Sequence, residues 1–297
     1  MRSIVITGAS RGLGLASAAH FYHKGWKVIA AMRSVESGME RLRSVTGSNG
    51  SSDKHDPRLI GVKLDLADSE SIANAAQLIL QQVGAPDVIV HNAGLAAAGS
   101  AEETPMAAWQ QLFATNLFGP VELTKALLPA MREKGQGRIV VISSQGGIRG
   151  MPGISTYSAS KGALERWAES MSHEIAPFGL GVTILVTGTF KTEILTEQTP
   201  DYGDHHGPYA KVYEGIHTTG REFVDKNASP PEKFAQALAA AVEDDAPIRR
   251  RTVGPDAAGL YFMARLLPGN LVHKIIAKAM KLPRRNALKD PSSIGRV

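Results

Sequence analysis

The chain has 297 residues, 43% of them hydrophobic and 21% charged, a composition that excludes a disordered or fibrous protein and suits one able to bury a sizeable core. It contains no cysteine, which removes disulfides, thiolate metal ligands and cysteine nucleophiles. The formal charge of +5 is unevenly placed, because residues 246–297 carry eleven Lys and Arg against only Asp256 and Asp290 and the remainder is slightly acidic.

In chain order, the apolar runs IVIT (Ile4–Thr7), WKVIAAM (Trp26–Met32), LIGVKL (Leu59–Leu64), DVIVH (Asp87–His91), RIVVIS (Arg138–Ser143) and VTILV (Val182–Val186) predict strands, each closed by a turn signal. Helical patterns separate them over Leu13–Lys24, Ser69–Val83, Met106–Glu133 and Thr156–Ala176. Strands this continuously apolar are covered on both faces, so the expected fold is α/β, a doubly wound, mostly parallel sheet flanked by helices. The polar insert GSNGSSDKHDP (Gly47–Pro57) reads as a surface loop, and periodicity lapses over Gly188–Pro231, as in a substrate loop or lid. A helix over Pro231–Glu243 follows, then a basic RRRTVG stretch and two more helical patterns. The expected organisation is one catalytic and cofactor-binding domain over residues 1–254, with loop 188–229, and a basic helical C-terminal extension, 255–297, packed on it.

TGASRGLG (Thr7–Gly14) leaves the first strand and enters the first helix, with Gly8, Gly12 and Gly14 placed to let backbone turn sharply against a pyrophosphate at the helix N-terminus. The second strand ends on Met32-Arg33 instead of an acid that would hold a free ribose 2′-hydroxyl. Arg33, with Arg11, offers guanidinium groups suited to a 2′-phosphate, so NADP(H) is expected. Asp65 ends the third strand, where it could accept from the adenine amino group, and Asn92-Ala93-Gly94 ends the fourth.

Tyr157 and Lys161 lie four residues apart on a predicted helix and share a face. A nearby ammonium lowers a phenol's pKa, as does an oxidised nicotinamide ring, which would make Tyr157 a usable acid or base. Ser144, ending the fifth strand, can donate to a carbonyl oxygen as charge develops on it. Gly146, Gly147, Gly150 and Gly153 leave room between them.

The ordered motifs TGASRGLG, LDLAD, HNAG, ATNLFG, VISS and YSASK, spread over roughly residues 1–195, resemble the short-chain dehydrogenase/reductase family in its simpler single-domain form. The resemblance implies that Ser144, Tyr157 and Lys161 carry the chemistry and that Asn116 holds a water for proton relay. It implies a cofactor bound by Gly8, Ser10, Arg11, Gly12, Leu13, Gly14, Arg33, Asp65, Leu66, Asn92, Ala93, Gly94, Tyr157, Lys161, Gly188 and Thr192, the last at the nicotinamide carboxamide. It also implies a homodimer or homotetramer joined through the helices at 106–133 and 156–176. One departure is Thr187-Gly188, where the family usually has Pro-Gly; proline would stiffen that turn.

The expected activity is hydride transfer between NADP(H) and a carbonyl or secondary alcohol. The substrate would lie against Leu95, Gln145, Ile148, Met151 and the 188–229 loop, a mostly apolar surface suited to lipid-like, steroid-like or aromatic ketones. The alternative is an NADPH-binding regulator acting through a partner. His205-His206, with Asp201 and Asp204 nearby, reads as a polar loop and no metal site is expected, because no second ligand cluster stands at helical or hairpin spacing. GNLVHKIIAKAMKLP is amphipathic, and packing is favoured over contact with an anionic membrane. The basic residues lack interleaved aromatics, so nucleic acid is not expected. An N-terminal apolar run too short for a signal core, and no stretch of the roughly 18 apolar residues that span a bilayer, suggest a cytoplasmic protein.

Overall fold

A computed structural model describes residues 1–48, 56–192 and 199–289. Seven strands form one parallel sheet: β1 (Ser3–Thr7), β2 (Lys27–Met32), β3 (Leu59–Lys63), β4 (Val88–His91), β5 (Gly137–Ser144), β6 (Leu180–Thr187) and β7 (Ile248–Val253), in the order β3-β2-β1-β4-β5-β6-β7. Strand order reverses between β1 and β4, where doubly wound sheets open a ligand crevice at the carboxyl ends of the strands.

The helices are α1 (Gly12–His23), α2 (Val35–Thr46), α3 (Ser69–Val83), α4 (Met106–Phe113), α5 (Gly119–Lys134), the single turn α6 (Gln145–Ile148), α7 (Ser155–Ile175), α8 (Ala210–Asn227), α9 (Pro231–Val242), α10 (Pro255–Leu266) and α11 (Gly269–Ala279). None of them is long and apolar enough to cross a membrane. Alternate strand residues feed two cores. Ile4 and Ile6 point to one side with Phe21, Leu42, Phe234 and Leu238. Val5 points to the other with Ile72, Ile79, Leu127, Leu164 and Met171. Both faces are apolar, which is why the strands show no polar alternation.

Four features depart from the expected elements. The helix expected over 106–133 is broken by a π-helical stretch at Ala114–Phe118. Residue 120 is proline, which supplies no N–H to the carbonyl four residues back, that of Asn116, and whose ring crowds it; widening the turn relieves both. A strand, β7, runs through IRRRTV and pairs in parallel with β6. Its three arginines hide the strand pattern, yet each extends from a sheet edge to a carboxylate partner or solvent. The irregular reading of Gly188–Pro231 misses α8, whose buried face is reduced to residues such as Tyr213 and Gly215. Finally, α2 is an amphipathic helix after β2 that the sequence reading leaves unassigned.

The C-terminal helices pack against the substrate side: α10 meets α6 and β7, α11 meets α10, and the chain at the end of α11 lies so close to Gly215 of α8 that a Cβ there would stand 2.7 Å from the Met280 carbonyl oxygen.

The Phe190 and Phe234 rings meet edge to face at 5.8 Å, and Phe234 is fully buried. Phe234→Ala should therefore lower unfolding free energy by about 3–5 kcal/mol, measured by urea denaturation; a loss below 1 kcal/mol would mean that α9 is not part of this core.

Candidate active site

The glycine turn begins where β1 ends. Gly8 and Gly12 have φ of +69° and +53°, conformations open to glycine at little cost. A Cβ on Gly14 would run into the Gly8 carbonyl and stand 2.6 Å from Asn92 Nδ2. The turn is anchored by Gly8 N–H and Ala9 N–H donating to Ala31 O at the end of β2. Opposite it, Thr7 Oγ1 accepts from the N–H groups of Asn92 and Ala93 at 3.1 and 3.0 Å, and Asn92 Nδ2 donates to Thr7 O at 2.8 Å. The tips of β1 and β4 are thus laced together at the switch point.

Helix α1 has no side-chain cap on its first N–H groups and no acid in its first turn. An anion fits such a terminus, since its partial positive charge meets no acid in its own first turn. Thr192 methyl and Cβ lie 3.5 Å from where a Gly12 Cβ would be, so the segment after β6 reaches over the same turn. Arg33 is exposed at the end of β2, and Leu66 is buried beside Gly119 of α5. Asp65 Oδ1 accepts from Ala67 N–H at 3.0 Å, so one of its oxygens closes its own turn.

Ser144 ends β5 and is the N-cap of α6, its Oγ accepting from Gly146 N–H at 3.4 Å. Gly146 and Gly147 let α6 lie against α7: Cβ atoms there would stand 3.1 Å from Ser158 Oγ and 2.5 Å from Ser143 Oγ. Gly150 faces open space, whereas Gly153, at φ +75°, lies against Ile216 of α8. The approach brings Tyr157 into side-chain hydrogen bonding with Ser144. Lys161, one turn on, is buried, donates to Ile142 O at 2.8 Å and holds its ammonium 5.9 Å from the centre of the Tyr157 ring. A Cβ on Gly94 would stand 3.3 Å from Lys161 Nζ and 3.4 Å from Asn116 Oδ1, so the β4 loop, α7 and the π-helical stretch meet at one point.

Burial pushes the Tyr157 phenol above its ordinary pKa, and the Ser144 hydrogen bond offsets only part of that. The lowering expected from the neighbouring ammonium is outweighed here by burial. Burial also brings the Lys161 ammonium down from 10.5 to about 8, with Glu165 acting to raise it, so the cation and the phenol are destabilised by the same dry surroundings.

The side chain of Asn116 is hydrogen-bonded through both its oxygen and its nitrogen. Its Oδ1 accepts from Leu95 N–H at 2.8 Å, and its Nδ2 donates to Leu95 O and Ser160 Oγ, both at 2.9 Å. Both of its N–H donors are used and its oxygen is tied to the Leu95 N–H, so it braces the loop after β4.

Two carboxylates escaped the sequence reading. Glu165 is buried one turn beyond Lys161, accepts from Ser143 Oγ at 2.5 Å and pairs with Arg250 of β7. Its place at i+8 from Tyr157 on the same helix face was a legible signal. Asp256, in the first turn of α10, accepts from Gln145 Nε2 and Thr189 N–H, both at 2.7 Å, tying α6 and the turn after β6 together. Gly188 lies against this carboxylate, and the turn that lacks the family's proline is held by Asp256 and by Thr187 Oγ1 donating to Ser143 O at 2.7 Å. No local pattern announces Asp256, because its partners lie over a hundred residues upstream and at position 189. Among the expected substrate contacts, Leu95, Gln145, Ile148 and Met151 are half-buried around this region.

A doubly wound parallel sheet with a glycine turn at its switch point, and a serine, tyrosine and buried lysine beside it, defines a Rossmann-like α/β protein of the oxidoreductase kind. The short chain dehydrogenase model matches residues 2–203, and the chain belongs to that family. It is 34% identical over 241 residues to dehydrogenase/reductase SDR family member 7B of Xenopus tropicalis, spanning 80% of this chain and 73% of the other. It is 30% identical over 278 residues to a 3-ketodihydrosphingosine reductase of Bacteroides thetaiotaomicron, spanning 91% and 94%. Among solved structures, a short-chain dehydrogenase from Streptomyces avermitilis superposes with a TM-score of 0.76 at 33% identity, covering 94% of this chain and 96% of that one. A structure described as an NAD(P)-dependent gluconate 5-dehydrogenase from Beutenbergia cavernae with bound NADP superposes at 0.69 and 28% identity, covering 87% and 96%.

The depressed lysine makes a stability prediction. Below about pH 8 the ammonium is charged in both folded and unfolded chains and its burial carries its full cost. Between about 8 and 10.5 the folded protein gives up the proton first, so the unfolded chain binds more protons and stability rises with pH. Lys161→Met should thus be more stable than the parent at pH 7, with the difference shrinking towards pH 10, as followed by denaturant titration at several pH values; a constant difference would show that Lys161 is not desolvated.

Proposed function

We propose that the protein is an NADP(H)-dependent oxidoreductase that interconverts a carbonyl and a secondary alcohol on an apolar substrate. The observation that carries this reading is the convergence of Ser144, Tyr157 and Lys161 beside Gly94 at the sheet's switch point. The cofactor's nicotinamide would supply or accept the hydride. The uncapped start of α1 would hold the pyrophosphate, Gly94 would give the backbone clearance for a ribose beside Lys161, and Thr192 and Gly188 would border the nicotinamide. Arg33 and Arg11 favour a 2′-phosphate, since a guanidinium makes charge-assisted, paired hydrogen bonds to phosphate oxygens; the NADP bound to the Beutenbergia cavernae structure is in keeping with this.

In the reducing direction Ser144 would hold the substrate oxygen by a hydrogen bond that strengthens as negative charge grows there. Tyr157 would deliver the proton to that oxygen. A phenol raised by burial is the protonated form at neutral pH, which suits a donor. Lys161 would then stabilise the phenolate that is left. Reprotonation through a water would fall to Asn116, whose main-chain carbonyl lacks its α-helical donor because residue 120 is proline. The lean towards an apolar ketone rests on Leu95, Ile148 and Met151; the 3-ketodihydrosphingosine reductase among the relatives is named for a long-chain ketone. A second copy would meet the α5–α7 face, where Phe118 is 61% exposed, giving a homodimer or homotetramer, and the expected location is cytoplasmic.

NADPH oxidation with a panel of long-chain and aromatic ketones tests the reading. Tyr157→Phe should cut turnover by about 10²–10⁴-fold while leaving NADPH binding within a few-fold; retained turnover in the variant would show that Tyr157 is not the proton donor, and no turnover by the parent on any ketone would favour a cofactor-binding regulator. Arg33→Asp should raise the KM for NADPH by about 10–100-fold and leave that for NADH unchanged or lower; equal effects on the two would show that Arg33 does not read the 2′-phosphate.

A further inference from the structure

The segment after β6 carries a cluster that takes no part in the chemistry above. Asp201, with His205 four residues on, lies in the loop ahead of α8, and His217 comes from the helix itself. His205 Nε2 is 3.0 Å from Asp201 Oδ2, and His217 Nε2 is 3.9 Å from the same oxygen, beyond hydrogen-bond reach. The three donor atoms lie within 4.8 Å of one another. We propose that Asp201, His205 and His217 form a site for a divalent transition-metal ion, Zn²⁺ by preference, that fastens the loop to α8.

The separations fit. Zinc–ligand bonds of about 2.0–2.2 Å at tetrahedral angles put donors roughly 3.3–3.6 Å apart, so of the three pairs the Asp201–His205 pair must open slightly and the Asp201–His217 pair close, with His205 and His217 already within 4.8 Å of each other. The donors are also aimed. Asp201 Oδ1 accepts from Gly203 N–H at 2.9 Å, which turns Oδ2 towards the imidazoles. The His205 ring lies between the Tyr213 and His217 rings, each with its centre 5.0 Å away, and Tyr213 is itself buried. Two imidazoles and one carboxylate match zinc's borderline preference, and partial exposure of all three residues leaves a fourth position for water. His206 is not in the cluster, although it adjoins His205; its main-chain N–H is held by Asp204.

The ion would act on the substrate-side wall. Tyr202 N–H donates to Ala98 O and Ala98 N–H to Pro200 O, while Tyr213 Oη accepts from Ser100 N–H at 2.7 Å. The loop and α8 are therefore each attached to the 98–104 segment, and a metal joining them closes the third side of that arrangement. The sequence could not show the site, because His217 stands twelve residues beyond His205 and only the fold brings it back.

The full chain, stripped by dialysis against a chelator, is titrated with ZnCl₂ by calorimetry, with Co²⁺ absorption reporting the ligand geometry. One equivalent should bind per chain, with tetrahedral cobalt bands and a rise in Tm. Even outer partners of a metal ligand are worth about 10–100-fold in affinity, so His217→Ala and Asp201→Asn should each weaken binding by at least that much and abolish the Tm shift, while His206→Ala leaves both unchanged. Absence of saturable binding in the parent, or binding that His217→Ala leaves intact while the variant keeps the parent's metal-free Tm, would overturn the proposal. Neither readout needs turnover, so the result is independent of the proposed activity.

Discussion

Burial of one lysine ammonium organises the centre of this protein. Lys161 is out of water, its Nζ donating to Ile142 O, and a cation in such surroundings survives only where carbonyls and a carboxylate face it. Glu165 faces it, and Arg250 and the Ser143 hydroxyl hold Glu165 in place. The edge strand β7 thus reaches the centre of the protein through a chain of polar contacts: Arg250 to Glu165 to the face of α7 that carries Lys161 and Tyr157. Removing Glu165 would leave the Lys161 and Arg250 cations without their buried counter-charge, which costs more than the pairing contributes.

The same crowding explains the small residues around it. Gly94, Gly146 and Gly147 lie where a Cβ would meet Lys161, Ser158 or Ser143. Their absence of side chains lets three elements converge, so that a serine from β5, a tyrosine from α7 and the loop after β4 meet in a space too small for a looser arrangement. Rigidity is supplied by bracing side chains. Asn116 braces Leu95, Thr7 braces Asn92 and Ala93, and Asp256 braces Gln145 and Thr189.

Six of the seven strands, and the glycine turn, were legible because they depend on local pattern: apolar runs, glycines at a strand–helix junction, and a tyrosine and lysine at helical spacing. The chain order of those motifs carried the family as well. β7 was not legible, because its arginines obey a tertiary demand, Glu165 and Asp244, that no window along the chain contains. The π-helical stretch was legible in principle from Pro120, had the missing N–H been followed back to Asn116. The upward direction of the Tyr157 shift was not legible for a different reason. Spacing gives the neighbour but not the dielectric, and burial outweighs proximity when the neighbouring ammonium is itself desolvated.

The account rests on Lys161 being a buried, depressed cation backed by Glu165, and the ammonium can be observed directly by ¹⁵N-detected NMR of lysine-labelled, cofactor-free protein titrated with pH. One Nζ resonance, assigned by its loss in Lys161→Met, should titrate near pH 8 and move lower still in Glu165→Gln. Titration near 10.5 with no response to Glu165 would contradict it.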